Sequence, residues 1–258
     1  MKQRLSYREQ KFECGDFLEA NVYPVFQTET AAGRKGPRKP TRDTQARLNV
    51  MNRARECNRT ICANFTNRDY YLTLTYKDEP DDDERAKQDI ENFLAKVARL
   101  MKKKGLPKPK WVKTIEKGTK SGRRHAHLVH SGGLTPCELQ MCWGKGYVDC
   151  KPLMFSKDGV FALSRYFAKE IRNKPGDGKK AKGWTCSRNC VRPVAKVNDY
   201  RFSKKRAAEL ARENENARLL DKLYPGYICA FCKTFYNDES GLYYLHMGFY
   251  KKTARLDL

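Results

Sequence analysis

Hydrophobic positions along this chain change period several times, and each change marks an element. Residues 70–76 (Tyr-Tyr-Leu-Thr-Leu-Thr-Tyr) are alternating, β-branched and aromatic, which predicts a strand. Ala86, Ile90, Phe93, Leu94, Val97 and Leu100 recur at helical spacing and predict a helix over 81–104 with one apolar face. Its acidic opening at 81–84 and its basic close, Lys102, Lys103 and Lys104 before Gly105, complement the helix dipole. That acidic cluster therefore needs no metal to explain it. Strands are predicted near 110–116 and 124–130, with a short one at 147–152. A helix at 158–173 would carry Phe161, Leu163, Tyr166, Phe167 and Ile171.

Outside this stretch the pattern is looser. Residues 10–26 form an apolar segment with Phe12, Phe17, Leu18, Val22, Tyr23 and Val25. A Gly/Pro/basic stretch at 33–41 reads as a loop or arm, and 43–65 as a helix rich in arginine. A Gly/Lys loop covers 174–183, a polar helix 203–222, and aromatic strands 227–236 and 242–250 flank a hairpin turn at 237–241. Tyr227, Phe231, Phe235, Tyr236, Tyr243 and Tyr244 read as core residues of those strands. No internal repeat is visible. The order strand–helix–strand–strand–helix predicts an α+β fold, an antiparallel sheet with helices packed on one side. The expected layout is a basic N-terminal segment and helix (1–65), a core domain (66–195) and a C-terminal helix and β-hairpin extension (196–258).

Composition narrows the partners. Of 258 residues 40% are hydrophobic, enough for a core, and the formal net charge is +23. A charge of that size points to a polyanion, and nucleic acid is the first candidate. No long apolar segment would span or anchor in a membrane, and the start of the chain lacks a signal-peptide core, so a cytoplasmic protein is expected. Ten cysteines are scattered, with Cys229-Ala-Phe-Cys232 the one C-x-x-C. Cys137 with Cys142, or Cys186 with Cys190, would complete a zinc site only at spacings looser than most ribbons use, so reduced thiols are expected.

The chemistry concentrates in Arg123-Arg124-His125-Ala126-His127-Leu128-Val129-His130. The chain has four histidines, and two of them stand two apart on a predicted strand. Side chains at i and i+2 leave the same face of a strand, so His125 and His127 present two imidazole nitrogens to one metal ion. Glu116 ends the preceding strand-like run, and a hairpin would bring its carboxylate beside them. His130 leaves the opposite face and is excluded from the site, while His246, in the C-terminal hairpin, reads as structural. On the following helix Tyr166 and Lys169 stand at i and i+3, so phenol and ammonium share a face.

Taken in this order, the strand at 71–75, His125-Ala-His127 and Tyr166-x-x-Lys169 resemble the motifs of HUH-type single-stranded DNA endonucleases. These are the rolling-circle replication initiators of small phages and plasmids. Residues 61–65 and 184–189 are similar to segments of the phage-type members, and the resemblance spans about residues 60–195. Ala126 stands where the family usually has a bulkier apolar residue. The resemblance implies an RRM/ferredoxin-like endonuclease core in which His125, His127 and Glu116 hold Mg²⁺ or Mn²⁺. It implies Tyr166 as nucleophile, forming a 5′-phosphotyrosyl bond, and Lys169 as its electrostatic helper. Single-stranded or hairpin origin DNA would be the substrate. Arg34, Lys35, Arg38, Lys39, Arg123 and Arg124 are the expected DNA-backbone contacts.

Two other readings compete. A transposase or relaxase of the same superfamily would share the motifs, but relaxases generally place the tyrosine before the histidines and use a third histidine. A non-catalytic nucleic-acid-binding module would explain the charge and aromatics, but not the joint order of Glu116, His125, His127, Tyr166 and Lys169. No G-x-x-x-x-G-K-[S/T] phosphate loop occurs, so a host helicase and polymerase are the expected partners.

Overall fold

A computed structural model describes residues 4–27, 43–118, 122–169, 183–212 and 217–254. The basic stretch at 33–41 and the loop at 174–183, up to residue 182, lie outside these, as does Ile171. The chain divides into two compact units. Both are built on an antiparallel five-stranded sheet, and helices accompany each, so the fold is α+β.

The unit formed by Arg47–Phe155 and Val160–Val191 holds the motif-bearing strands. β3 (Tyr70–Thr75), β4 (Trp111–Lys117), β5 (Arg124–His130), β6 (Val148–Pro152) and β7 (Thr185–Cys186) order themselves β6-β3-β5-β4-β7, an arrangement compatible with the HUH endonuclease core. The histidine strand is therefore the central one. Alternation divides its residues: Ala126 and Leu128 face one way, His125 and His127 the other. Leu72, Leu74, Ala126 and Leu128 join Ile90, Phe93 and Val97 of α2 (Asp83–Lys103) and Leu139 and Trp143 of α3 (Pro136–Trp143) in one buried core. Truncating such a residue to alanine costs about 2–5 kcal/mol.

α2 begins where its polar residues dictate. The Asp82 side chain accepts from the Arg85 backbone N–H at 2.7 Å, capping a first turn that carries Asp83 and Glu84. α3 has no counterpart among the elements that the hydrophobic pattern predicts. Thr135 and Glu138 form a reciprocal capping box around Pro136 that starts it, and left-handed Gly144 ends it. The opposite face of the sheet carries the histidines and receives α4 (Phe161–Lys169), whose Tyr166 reaches His127. α4 begins at Phe161, three residues later than the sequence pattern suggests, and residues 170–173 lie outside the described part. α1 (Asp43–Cys62) serves the same unit: Asn58 Oδ1 accepts from Val160 N at 2.8 Å just before α4, and the Trp184 indole donates to the Arg53 carbonyl at 3.2 Å.

The second unit draws on both ends of the chain. β1 (Arg4–Cys14) and β2 (Phe17–Gln27) form a hairpin turned at Gly15, which takes φ +67°. They pair with β8 (Lys196–Phe202), β9 (Tyr227–Asn237) and β10 (Leu242–Lys251) in the order β8-β1-β2-β10-β9. The apolar segment at 10–26 is thus the two arms of this hairpin, and the terminal regions share one sheet. α5 (Lys204–Arg212) and α6 (Ala217–Leu223) fall on the polar helix expected at 203–222, of which residues 213–216 lie outside the described part, and cover a core of Tyr7, Leu18, Val22, Leu210, Leu245 and Phe249. Glu9 is buried there, with Tyr224 Oη donating to it at 2.7 Å and Arg201 at 3.0 Å, so its charge is compensated.

The aromatic strands need a correction. Phe235 is 63% exposed and Tyr236 45%, so they are not core residues. β9 is an edge strand, and its rings pair across to β10, Phe235 with Tyr244 and Tyr236 with Tyr243. Among the described residues no helix is long and apolar enough to cross a membrane.

Candidate metal centre and nucleophile

The β4–β5 hairpin sets the site. Its register places Glu116 opposite His125 and Thr114 opposite His127, so the four side chains share one face. Glu116 Oε1 lies 2.7 Å from His125 Nε2 and 2.8 Å from His127 Nε2. One donor atom from each of the three lies within 4.8 Å of the others, and among the described residues no other group of His, Cys, Asp and Glu converges this way. The three are mostly shielded, with Glu116 and His127 side chains each 9% exposed and His125 22%.

Their outer contacts orient them. His125 Nδ1 faces the Arg123 carbonyl at 3.3 Å, an oxygen that can only accept. His127 Nδ1 faces Tyr71 Oη at 2.7 Å and Thr73 Oγ1 at 3.1 Å. When each Nδ1 carries its proton outward, both Nε2 lone pairs and the carboxylate oxygen point inward. This donor set fits a divalent cation that accepts nitrogen and oxygen ligands. Without a cation the same inward atoms hold together only if an imidazole donates to the carboxylate.

The helix brings the nucleophile candidate to this group. Tyr166 Oη is 3.0 Å from His127 Nε2, with the rings edge to face. Ser164, Phe167 and Ala168 are the buried residues of α4, while Tyr166 remains 37% exposed, so its hydroxyl touches the triad while part of the residue stays open to solvent. Lys169 lies in the last turn of the same helix and is exposed.

The remaining sequence-predicted residues distribute otherwise. Arg34, Lys35, Arg38 and Lys39 lie outside the described residues. Arg123 donates to the carbonyls of Tyr76 at 2.6 Å and Lys77 at 2.9 Å. Arg124 pairs with Asp83 at 2.8 Å and Glu79 at 3.1 Å, so its charge is met within the protein. Both arginines tie the start of the histidine strand to the segment after β3, a use that the basic pattern alone could not separate from phosphate contact.

His130 points into the core face, and burial lowers its pKa to about 4 while its Nδ1 lies 2.6 Å from the Ser131 carbonyl. His246 sits in the other unit with Nε2 3.2 Å from Glu19 Oε1. The ten cysteines are all free, and burial pushes the thiols of Cys142, Cys150, Cys190, Cys229 and Cys232 up. The segments at 61–65 and 184–189 brace the unit. Asn64 exchanges two hydrogen bonds with the Val191 backbone and accepts a third from Lys110, and Asn189 donates to the carbonyls of Lys108 and Pro109. Tyr71 and Thr73 belong to the strand singled out in the sequence, but their contact with His127 was not foreseen. Strand alternation and the pairing of Thr73 with His127 are the signals that lead to it.

Residues 69–173 match the family model of the replication-associated protein ORF2, a match consistent with a rolling-circle replication initiator. Among curated proteins and among solved structures, none matches the chain at a significant level. The matched segment begins just before β3 and ends beyond α4, so it contains Tyr71, Thr73, Glu116, His125, His127, Tyr166 and Lys169.

Proposed function

We propose that this chain is a replication initiator that nicks and rejoins one strand of single-stranded or hairpin origin DNA through a 5′-phosphotyrosyl intermediate. The observation that carries the reading is the meeting of Tyr166 with the triad, Oη 3.0 Å from His127 Nε2, on a residue still open to solvent. Tyr166 Oη attacks the scissile phosphorus, the bond from phosphorus to O3′ breaks, and the leaving oxygen takes up a proton as a free 3′-OH. In the reverse direction a 3′-OH attacks the stored ester and Tyr166 leaves, which rejoins the strand.

A tyrosine with the reference pKa near 10 is only about one part in a thousand phenolate at pH 7, so positive charge near Oη favours the reaction. Glu116, His125 and His127 would hold Mg²⁺ or Mn²⁺, which when bound supplies Lewis-acid polarisation of the phosphate and offsets transition-state charge. Lys169, three residues after Tyr166, adds electrostatic help and forms no bond to the substrate. The basic residues at 34–39 hold the DNA backbone, while unwinding and extension fall to a host helicase and polymerase.

The test is covalent capture. Labelled single-stranded DNA from the neighbouring replicon, incubated with the protein and Mn²⁺, should give an SDS-resistant adduct that peptide mapping places on Tyr166. Adduct on Tyr147, Tyr200 or any other tyrosine would overturn the assignment, and absence of adduct would overturn the function.

A further inference from the structure

The backbone of Tyr147 is held firmly, while its side chain stands in water. The residue immediately precedes β6, and its carbonyl accepts from Thr75 N at 2.9 Å and from Thr75 Oγ1 at 3.1 Å. One side-chain amide clamps both neighbours: Gln140 Nε2 donates to the Gly146 carbonyl at 2.7 Å, and Val148 N donates to Gln140 Oε1 at 2.9 Å. Gly146 lies so close to the backbone of Thr75, Tyr76 and Lys77 that a Cβ would not fit. Yet Tyr147 is 65% exposed, so its ring adds little to the stability of the core.

Strand alternation fixes where that ring points. Val148 belongs to the core, so Tyr147, Asp149 and Lys151 leave the opposite face of the sheet, the one that carries the triad. Their side chains meet there: Lys151 Nζ lies 2.7 Å from Asp149 Oδ2, and after that carboxylate the Tyr147 phenol also raises the Lys151 pKa. Leu74 pairs with Val148, so Thr75 stands opposite Tyr147. Thr75 also pairs with His125, and His125 with Glu116. Tyr147 and the triad thus share one row across the sheet, with Tyr147 two strands from His125, about 10 Å at the usual strand spacing.

We propose that Tyr147 is a substrate-binding residue whose ring stacks on a base of the single-stranded DNA flanking the scissile phosphate. This rests on the proposed function and extends it to how the strand is held. Three observations select a base as the occupant. The ring is continuous with the candidate metal centre along one row of the sheet. A net charge of +23 draws a polyanion to the protein surface. Beside the ring on the strand stand the charged Asp149 and Lys151, which leaves too small an apolar patch for a protein partner. A base needs no more than the ring, because every base has a π-face to stack. Asp149 and Lys151 offset each other's charge, so the contact at Tyr147 is an uncharged one, and attraction for phosphate comes from elsewhere on the protein.

The experiment measures binding of fluorescein-labelled oligothymidylate to the full-length protein by anisotropy, across a series of salt concentrations and without added metal. Tyr147→Ala should weaken binding about 5–150-fold, the usual loss of one stacked base, with the slope of affinity against salt unchanged because no phosphate contact is lost. Tyr147→Phe and Tyr147→Trp should bind like the wild type, since each keeps a π-face, and Tyr147→Leu should behave like the alanine variant. A 5-iodouracil base in the oligonucleotide should cross-link to Tyr147 on irradiation. Wild-type affinity in Tyr147→Ala would overturn the inference, as would a loss in Tyr147→Phe as large as in Tyr147→Ala. A flattened salt slope in Tyr147→Ala would also overturn it, since the residue would then support charged contacts rather than stack. Should Tyr147→Ala fail to fold, absence of a cross-link to Tyr147 in the wild type overturns it. A wild type that binds through Tyr147 but forms no adduct on Tyr166 with an origin strand would instead count against the proposed function, which separates the two.

Discussion

Glu116 stands directly opposite His125 across the β4–β5 hairpin, with Oε1 2.7 Å from Nε2. Direct opposition is the closest approach two strands offer to side chains on one face. One shift of register would send the carboxylate to the other side of the sheet. Glu116→Gln keeps the shape but replaces one carboxylate oxygen with an amide and removes the charge. Mn²⁺ affinity by calorimetry should fall by more than the about 10–100-fold typical of losing an outer partner. The thermal midpoint of the metal-free protein should change little by comparison.

Substitutions at the proposed nucleophile and the proposed ligands should separate by role. Tyr166→Phe keeps the helix packing but has no oxygen to form the ester, so adduct and cleavage should vanish while DNA binding persists. His127→Ala should block cleavage through loss of a ligand, and Mn²⁺ titration should show it where Tyr166→Phe shows none. Lys169→Ala should slow cleavage only partly, because it removes charge and no bond-forming atom. Normal cleavage by Tyr166→Phe would sink the mechanism.

The buried imidazole of His130 makes stability depend on pH. Its folded pKa of about 4 lies below the ordinary 6.5, so the folded protein resists the proton that the unfolded chain accepts. The contribution is fully present above pH 6.5 and is lost as pH falls toward 4. At 1.36 kcal/mol per pKa unit the loss is roughly 3 kcal/mol. Urea unfolding at pH 7 and pH 4.5 should show this decline, and His130→Leu should flatten it. An equal slope in the variant would assign the pH dependence elsewhere.

Gly146 allows a close backbone approach beside the site. A Cβ there would lie 2.7 Å from Lys77 N and press on the Thr75 carbonyl, both backbone atoms that cannot swing aside. Gly146→Ala should therefore destabilise by about 1–3 kcal/mol, the usual cost of overpacking, and lower the melting temperature. Thr75 pairs with His125, so Mn²⁺ affinity should fall with it.

DNA affinity should depend on the basic residues at 34–39. Replacing Arg34, Lys35, Arg38 and Lys39 by alanine should weaken binding and flatten its salt dependence, by about one released counterion for each phosphate no longer neutralised. An unchanged slope of affinity against salt would make this stretch a linker.

The triad was legible because strand alternation converts spacing directly into geometry. Two histidines two apart and a carboxylate nine residues earlier need only a short hairpin to meet. Tyr71 was not legible as a partner of His127, since the contact depends on which strand lies beside β5 and in what register. The sheet made from residues 4–27 and 196–251 was hidden for the same reason: its strands are separated by most of the chain, and no local pattern announces the pairing. The short helix α3 could have been read from Thr135, Pro136 and Glu138, but eight residues carry little periodicity. The arginines of residues 123 and 124 show the limit of charge patterning, because a basic side chain that pairs internally looks the same in sequence as one that waits for phosphate.

β5 lies at the centre of its sheet, bonded along its length to β3 on one side and β4 on the other. Its amides should exchange with solvent hydrogen only when the whole unit opens, far more slowly than those of the edge strands β6 and β7. The two histidines thus sit in the part of the sheet that fraying reaches last. A partly opened protein would still carry the formed histidine pair, and any loss of the proposed cation binding on heating should coincide with global melting rather than precede it.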